Sequence, residues 1–225
     1  LTISGATTLN SGSGDLTLDQ AASMFGSLTI TGANVSVTEN AALDLAGATI
    51  GGTGRFNSRN NAITDSGTLA ITGPVTFNSG SGDLTLDQTA STFGALTITG
   101  ANVSVTENAA MNLAGATIGG NLSATATGAV TDSGTLTVSG TSTFTNTAGS
   151  NAAITLDSSG NAFTGVVTFI TDSGSSVTIV DTTALDLQAL TVASLSVTVS
   201  GAITDSGTLT IAGASTFDSG SGSLI

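Results

Sequence analysis

The sequence predicts an all-β chain wound as a parallel β-helix, and three observations lead there. Residues 1–52 and 69–120 align without a gap at an offset of 68. Within each block, short apolar–polar–apolar triplets recur between Gly, Asn, Asp and Ser, which is the signature of strands and turns. Charged residues make up only 8% of the chain while 39% are hydrophobic. That is neither an ordinary globular surface nor a disordered chain, because disorder goes with few apolar and β-branched residues.

The repeat comes first because a fixed period decides the architecture. NSGSGDLTLDQAASMFGSLTITGANVSVTENAALDLAGATIGG (10–52) is nearly identical to NSGSGDLTLDQTASTFGALTITGANVSVTENAAMNLAGATIGG (78–120). A diverged copy begins at Leu136 and a fourth at Leu209. The chain therefore divides into repeats 1–68, 69–135, 136–208 and a partial 209–225, read as one continuous solenoid segment, 1–225. It opens in mid-pattern, so it is expected to belong to a longer array.

The second copy contains nine triplets: 69–71, 75–77, 84–86, 96–98, 103–105, 111–113, 116–118, 122–124 and 129–131. Alternate residues of a strand point to opposite sides, so the outer pair of each triplet faces inward. Nine strands per repeat imply three coils of about three strands each, and nine to ten coils in all. Three faces are expected. The first holds Leu28/Ile30, Leu69/Ile71, Leu96/Ile98 and Val167/Phe169. The second holds Val35/Val37, Val75/Phe77 and Val103/Val105. The third holds Leu16/Leu18, Leu84/Leu86 and Ile154/Leu156. A longer loop at 145–152 keeps Leu28, Leu96 and Val167 at one corner of successive three-coil units. Pro74 precedes a strand, where a missing N–H is tolerated. Phe25, Phe93 and Phe163 each follow a face-three strand and are expected to fold back as buried plugs. An immunoglobulin-type sandwich needs longer strands, an aromatic core and a period near 100 residues; aromatics here are 4%.

The side-chain inventory argues against catalysis. There is no His, Cys, Lys or Tyr to serve as base, acid or nucleophile. Carboxylates alone would suit a glycosidase, but its cleft would want aromatics, and Trp is absent too. Arg55 and Arg59 are the only cations against fifteen carboxylates, giving a net charge of −13. Such a surface repels nucleic acid and anionic membranes. No apolar run approaches the ~20 residues that span a bilayer. No cofactor is expected.

Three surface features invite a binding role. The outward residue of the face-one triplets is mostly threonine: Thr2, Thr29, Thr49, Thr97, Thr117, Thr137, Thr168, Thr191 and Thr210. Such a column resembles an ice-binding array, although Thr is also a favoured residue on exposed strands. SGSGD at 11–15 and 79–83, and TDSG at Asp65, Asp132, Asp172 and Asp205, hint at calcium. Both are better read as turns, because calcium needs 6 to 8 converging oxygens. Asp19, Asp87 and Asp157 should sit ~14 Å apart, beyond the ~8 Å screening length, so the charge is tolerated without calcium. Asn34, Asn102 and Asn121 each begin an Asn-x-Ser triplet, as expected by chance in so Ser-rich a chain.

Runs such as LTITGANVSVTENAALDLAGATIGG (28–52) and GAITDSGTLTIAGASTF (201–217) resemble the repeat regions of filamentous-haemagglutinin-type exoproteins, the giant surface adhesins of Gram-negative bacteria. The resemblance covers the whole chain. It implies a right-handed parallel β-helix (β-solenoid), exported through an outer-membrane partner and displayed outside the cell, with adhesive specificity often outside the repeats. The family's amino-terminal secretion domain is not visible in these residues. The expected function is a structural segment of an extracellular fibre or adhesin stalk. Its expected partners are further repeats, end-to-end copies or laterally associated fibres. The alternative is a binding module that uses one β-helix face for a glycan, ice or a calcium-dependent receptor.

Overall fold

The computed structural model describes residues 1–146, 149 and 151–224, so part of the loop expected at 145–152 lies outside the described residues. Every described strand pairing is parallel, and the contacts divide the chain into two compact units, Leu1–Asn108 and Ala109–Ile225. The chain is a β-solenoid.

The first unit contains β1 (Thr2–Asn10), β2 (Leu16–Leu18), β3 (Met24–Gly32), β4 (Val35–Thr38), β5 (Leu43–Ile50), β6 (Gly54–Asn57), β7 (Ile63–Asp65), β8 (Leu69–Ile71), β9 (Val75–Asn78), β10 (Leu84–Leu86), β11 (Ala95–Gly100) and β12 (Val103–Glu107). Strands alternate between two sheets as the chain winds. One sheet runs β1-β3-β5-β7-β10-β12 and the other β2-β4-β6-β9-β11. The second unit contains β13 (Met111–Ile118), β14 (Leu122–Ala126), β15 (Val130–Asp132), β16 (Leu136–Val138), β17 (Ser142–Asn146), β18 (Ile154–Leu156), β19 (Ala162–Phe163), β20 (Val167–Ile170), β21 (Ser176–Asp181), β22 (Leu185–Leu187), β23 (Leu190–Val192), β24 (Ser194–Val199), β25 (Ile203–Asp205), β26 (Leu209–Ile211) and β27 (Ser215–Asp218). Its sheets run β14-β17-β20-β22-β25 and β13-β15-β18-β21-β24-β27.

About 11 turns result rather than nine or ten, because many coils are at the short end of the expected length. Leu43, Ile63, Leu84 and Val103 stack on one another in successive coils, and their numbering gives the coil length directly. A third strand is not a constant feature of the coil. It appears where β8 pairs with the second half of β5, where β16 and β19 follow β13, and where β23 pairs β26.

This corrects the three-face register. Leu28, Leu96 and Val167 are all buried as expected, but Leu28 lies in the sheet of β3 and Leu96 in the sheet of β11. Leu96 stacks on Val75, which the sequence reading put on another face, and Leu84 stacks on Val103. The reason is that one repeat spans three and a half coils, not three. From Val35, three steps along its own sheet pass Gly54 and Val75 and reach Leu96. Val103, the counterpart of Val35 one repeat later, is on the next strand, half a coil further on in the other sheet. The second unit repeats the pattern. Val130 leads through Ile154 and Val177 to Leu195 in three steps, and Ile203, its counterpart in GAITDSG, lies in the opposite sheet. The interval from Val130 to Ile203 is slightly longer than that from Val35 to Val103. The connections absorb the surplus, and the half-coil remainder is kept.

The core follows from parity. Inward Leu, Ile, Val and Phe of each coil rest on those of the next, and no coil can bury its apolar side alone. Phe56 and Phe77 are register partners whose rings stack at 5.3 Å. Phe144 and Phe169 do the same at 6.0 Å. Phe25, Phe93 and Phe163 are buried. Phe93 meets Phe77 edge-on at 6.0 Å and Phe163 meets Phe144 edge-on at 5.8 Å, so these two plugs close the side of an aromatic stack.

A cross-link tests this register, and the chain has no cysteine to interfere. Thr76→Cys with Thr97→Cys places two thiols on register partners and should be joined within one chain by a short bifunctional thiol reagent. Ala70→Cys with Thr97→Cys, neighbours in the three-coil register, should not. Electrophoretic mobility under denaturing conditions reads the outcome, and the reverse pattern would restore the three-coil register.

Candidate functional site

The threonines singled out above do point outward. All are exposed except Thr168, which is half-buried. They do not form one column. Thr117 stacks on Thr137, and Thr191 on Thr210. Thr2 lies beside Met24, Thr29 beside Gly47, Thr49 beside Ala70, Thr97 beside Thr76 and Thr168 beside Thr143. The half-coil remainder carries alternate copies to the other sheet, and within one copy Thr49 stacks on Thr31 rather than on Thr29.

Other outward files are longer. In the first unit Thr17, Ser36, Arg55, Thr76 and Thr97 occupy successive coils of one sheet. In the second unit Asn112, Thr131, Thr155, Thr178, Ser196 and Thr216 form an uncharged file of six. Both are legible in the sequence once the coil length is taken from the steps Val35 to Gly54 and Val130 to Ile154.

The acidic motifs are occupied by the chain itself. Asp15 accepts from the N–H of Asn34 at 3.1 Å and from its Nδ2 at 2.8 Å. Asn34 Oδ1 in turn accepts from the N–H and Oγ1 of Thr53 at 2.9 and 3.0 Å. Asp83 is held by Asn102 in the same way, both bonds 3.0 Å, and the Asn102 amides hold its carboxyl below the usual range. Asn121 Oδ1 receives the N–H and Oγ1 of Thr141. The Asn-x-Ser asparagines are thus links in corner ladders from one coil to the next. In NSGSGD, Ser79 Oγ donates to the carbonyls of Gly82 and Thr99, which fastens the turn to the neighbouring coil.

TDSG is more than a turn. Asp65 and Asp132 occupy inward positions and are buried. Asp65 accepts the N–H of Asp87, and Asp132 that of Asp157, both at 2.9 Å; Asn161 Nδ2 also donates to Asp132 at 2.6 Å. Burial pushes the Asp65 carboxyl up to about 6, against the opposing pull of the Asp87 and Gln88 amides. The glycine is needed because the neighbouring coil is close: a Cβ on Gly67 would lie 2.0 Å from the Ala46 carbonyl oxygen, and one on Gly134 2.0 Å from that of Ala114. At Asp172 the carbonyl takes the N–H of Ser175 at 3.0 Å and the carboxylate that of Asn151 at 3.3 Å, and Asp205 is exposed.

Three further carboxylates are buried at corners: Glu39, Glu107 and Asp181. Parity points to them, since each continues an inward alternation (Val35-x-Val37-x-Glu39, Val103-x-Val105-x-Glu107, Val177-x-Ile179-x-Asp181). Glu107 Oε1 accepts the N–H of Phe93 at 2.8 Å. Glu39 takes the N–H of Phe25, and Asp181 that of Phe163 at 3.1 Å. In each case the residue two before the phenylalanine gives its carbonyl to the next coil: Ser23 to Asn40, Ser91 to Asn108 and Asn161 to Thr182.

Among the described residues, no three His, Cys, Asp or Glu side chains converge as a metal site. An apolar recess of about 320 Å³ lies in the last coils of the second unit, lined by Leu187, Ile203, Leu209, Phe217 and Leu224 beside Thr204 and Asp205. Its apolar lining is drawn from the triplets that face inward elsewhere.

A family model described as repeats of unknown function (DUF5649) matches residues 1–31, 32–99, 100–170 and 174–225. No curated protein and no solved structure matches the chain.

Removing the Phe93 ring should leave a void beside Phe77. Phe93→Ala is expected to lower stability by about 3–5 kcal/mol, measured by chemical denaturation. A loss under about 1 kcal/mol would show that the ring is not a plug.

Proposed function

The chain belongs to the family of repeats of unknown function (DUF5649), and from that premise we propose that it is a structural segment of a long extracellular or cell-surface fibre. It serves as an adhesin stalk of the filamentous-haemagglutinin kind on a Gram-negative bacterium, in adhesion, aggregation or cell–cell contact. Its role is mechanical rather than catalytic. The observation that carries this reading is the stacking within each unit. Every coil hands its backbone hydrogen bonds and its apolar pair to the next, so length grows with copy number without a new core. The corner ladders and buried carboxylates commit the polar side chains to coil-to-coil bonds rather than to a pocket.

The partners that fit are further repeats of the same chain, end-to-end copies, and neighbouring fibres laid alongside. The half-coil remainder supports the last of these, because it brings equivalent strands of successive copies to both sheets. The uncharged Asn112–Thr216 file favours a second reading, a binding module that offers one β-helix face to a glycan, ice or a receptor.

Copy number is the direct test. Chains of one, two and four copies of the repeat should appear in electron micrographs as filaments that lengthen by roughly 17 Å per added copy, from three and a half coils at the inter-strand spacing. A chelator should leave them unchanged. Particles that do not elongate with copy number would defeat the fibre reading, and loss of filaments on chelation would favour a calcium-dependent receptor surface.

A further inference from the structure

Glu39 and Glu107 are the most unusual groups in the molecule. Each is fully buried, holds one phenylalanine N–H with one oxygen, and leaves Oε2 with no hydrogen-bond partner. They occupy the same place in successive copies, so the arrangement is not an accident of one corner. Asp181 repeats the bond to Phe163 on a shorter side chain, with Thr183 satisfying its oxygens.

What each carboxyl holds is a short connection between strands that the sheets do not pair along its whole length. After β10, residues 87–93 leave the sheet, make a local turn from Ser91 N–H to Gln88 C=O, and return to Leu69 and Ile71 through Thr92. Ser91 Oγ accepts the Leu69 N–H at 3.0 Å. The Glu107 bond fixes Phe93, whose ring then seals the aromatic stack. Residues 19–23 make the same local turn, from Ser23 N–H to Gln20 C=O, and Glu39 holds Phe25 at the start of β3, beside Ile3 of β1.

We propose that Glu39 and Glu107 are proton-operated latches on these corner segments. With the proton bound, the carboxyl is neutral and still accepts the phenylalanine N–H, so the segment stays docked. When the proton leaves, a negative charge sits in the core with one N–H and no cation, and the corner loosens. Among the described residues no cation hydrogen-bonds either carboxyl. Around Glu107 the charged groups on the surrounding elements are Asp83 and Asp87 flanking β10. Around Glu39 they are Asp15 and Asp19 flanking β2, Arg55 and Arg59 at β6, and the amino group of Leu1. Only burial and the phenylalanine amide act on the two glutamates, with burial the larger.

The direction follows. Burial raises both carboxyls from their ordinary value of 4.5, Glu107 to about 7. A group raised on folding adds stability that is fully present below its unfolded value and is lost as the pH climbs through the folded one. For Glu107 the window runs from 4.5 to about 7. The corner is tightest in acid and loosens towards neutral and alkaline pH. Across that window the folding equilibrium constant should fall on the order of a hundredfold for this one group.

The net charge of −13 also repels itself less in acid, so the pH dependence of the native chain alone does not decide the matter. Glu107→Gln does. It keeps the shape and the acceptor but has no charge to bury. The full chain and this variant are compared in denaturant titrations at about pH 4.5 and pH 8, with hydrogen exchange of the 88–94 segment followed at each pH. The variant should match the native chain in acid, exceed it at pH 8 with a flatter pH profile, and show slower exchange in that segment at pH 8. The proposal is overturned if the variant is less stable than the native chain at pH 8, or if the two profiles are parallel. Should the variant fail to fold, carbon-13 titration of the Glu107 carboxyl in the native chain decides, and a midpoint below about 5 overturns it.

Discussion

Hydrogen bonding from one coil to the next is the constraint on which everything else rests. A strand of three residues cannot hold itself, and a single coil cannot enclose its own apolar side chains. Both become stable only when another coil supplies donors, acceptors and a matching inward pair. This explains why polar residues at the corners reach along the stack rather than around the coil. Asp15 to Asn34 to Thr53, Asp65 to Asp87 and Glu107 to Phe93 all join different coils. It also explains why coil length is loose. The connections absorb insertions, while the triplets keep their register.

The triplets were legible in the sequence because strand parity is a local property. Leu84/Leu86, Val103/Val105 and their fellows are buried as the alternation requires. The parallel solenoid and the phenylalanine plugs followed from the same reading. Which triplet stacks on which was not legible, because that depends on coil length, and dividing the repeat into whole coils gave the wrong answer. Ala48/Ile50 and Leu69/Ile71 look like ordinary strands in the sequence but form a third strand found in only some coils. The threonine column inherits that error: each residue is outward, but the file runs across three sheets.

The buried acids show a different kind of failure. Glu39, Glu107, Asp65 and Asp132 stand at inward positions by the same alternation that placed the leucines, so the signal was present. A carboxylate is ordinarily a surface residue, and that masks the signal. In this chain the expectation misleads, since the corner N–H groups of the neighbouring coil need an acceptor and the backbone has none left to give. Asp205, which holds the same place in GAITDSG, is exposed in the last described coils.

The half-coil remainder has a consequence for inheritance. When a block of three and a half coils is duplicated, each copy is rotated half a turn against its parent. A strand that faced one set of neighbours must then face another. A substitution acquired by the ancestral block reappears on alternate sides of its descendants. An array with an even number of copies is therefore chemically balanced between its two sides, and one with an odd number is not. Gain or loss of a single copy changes which side is in surplus, so parity of copy number is itself a heritable surface property.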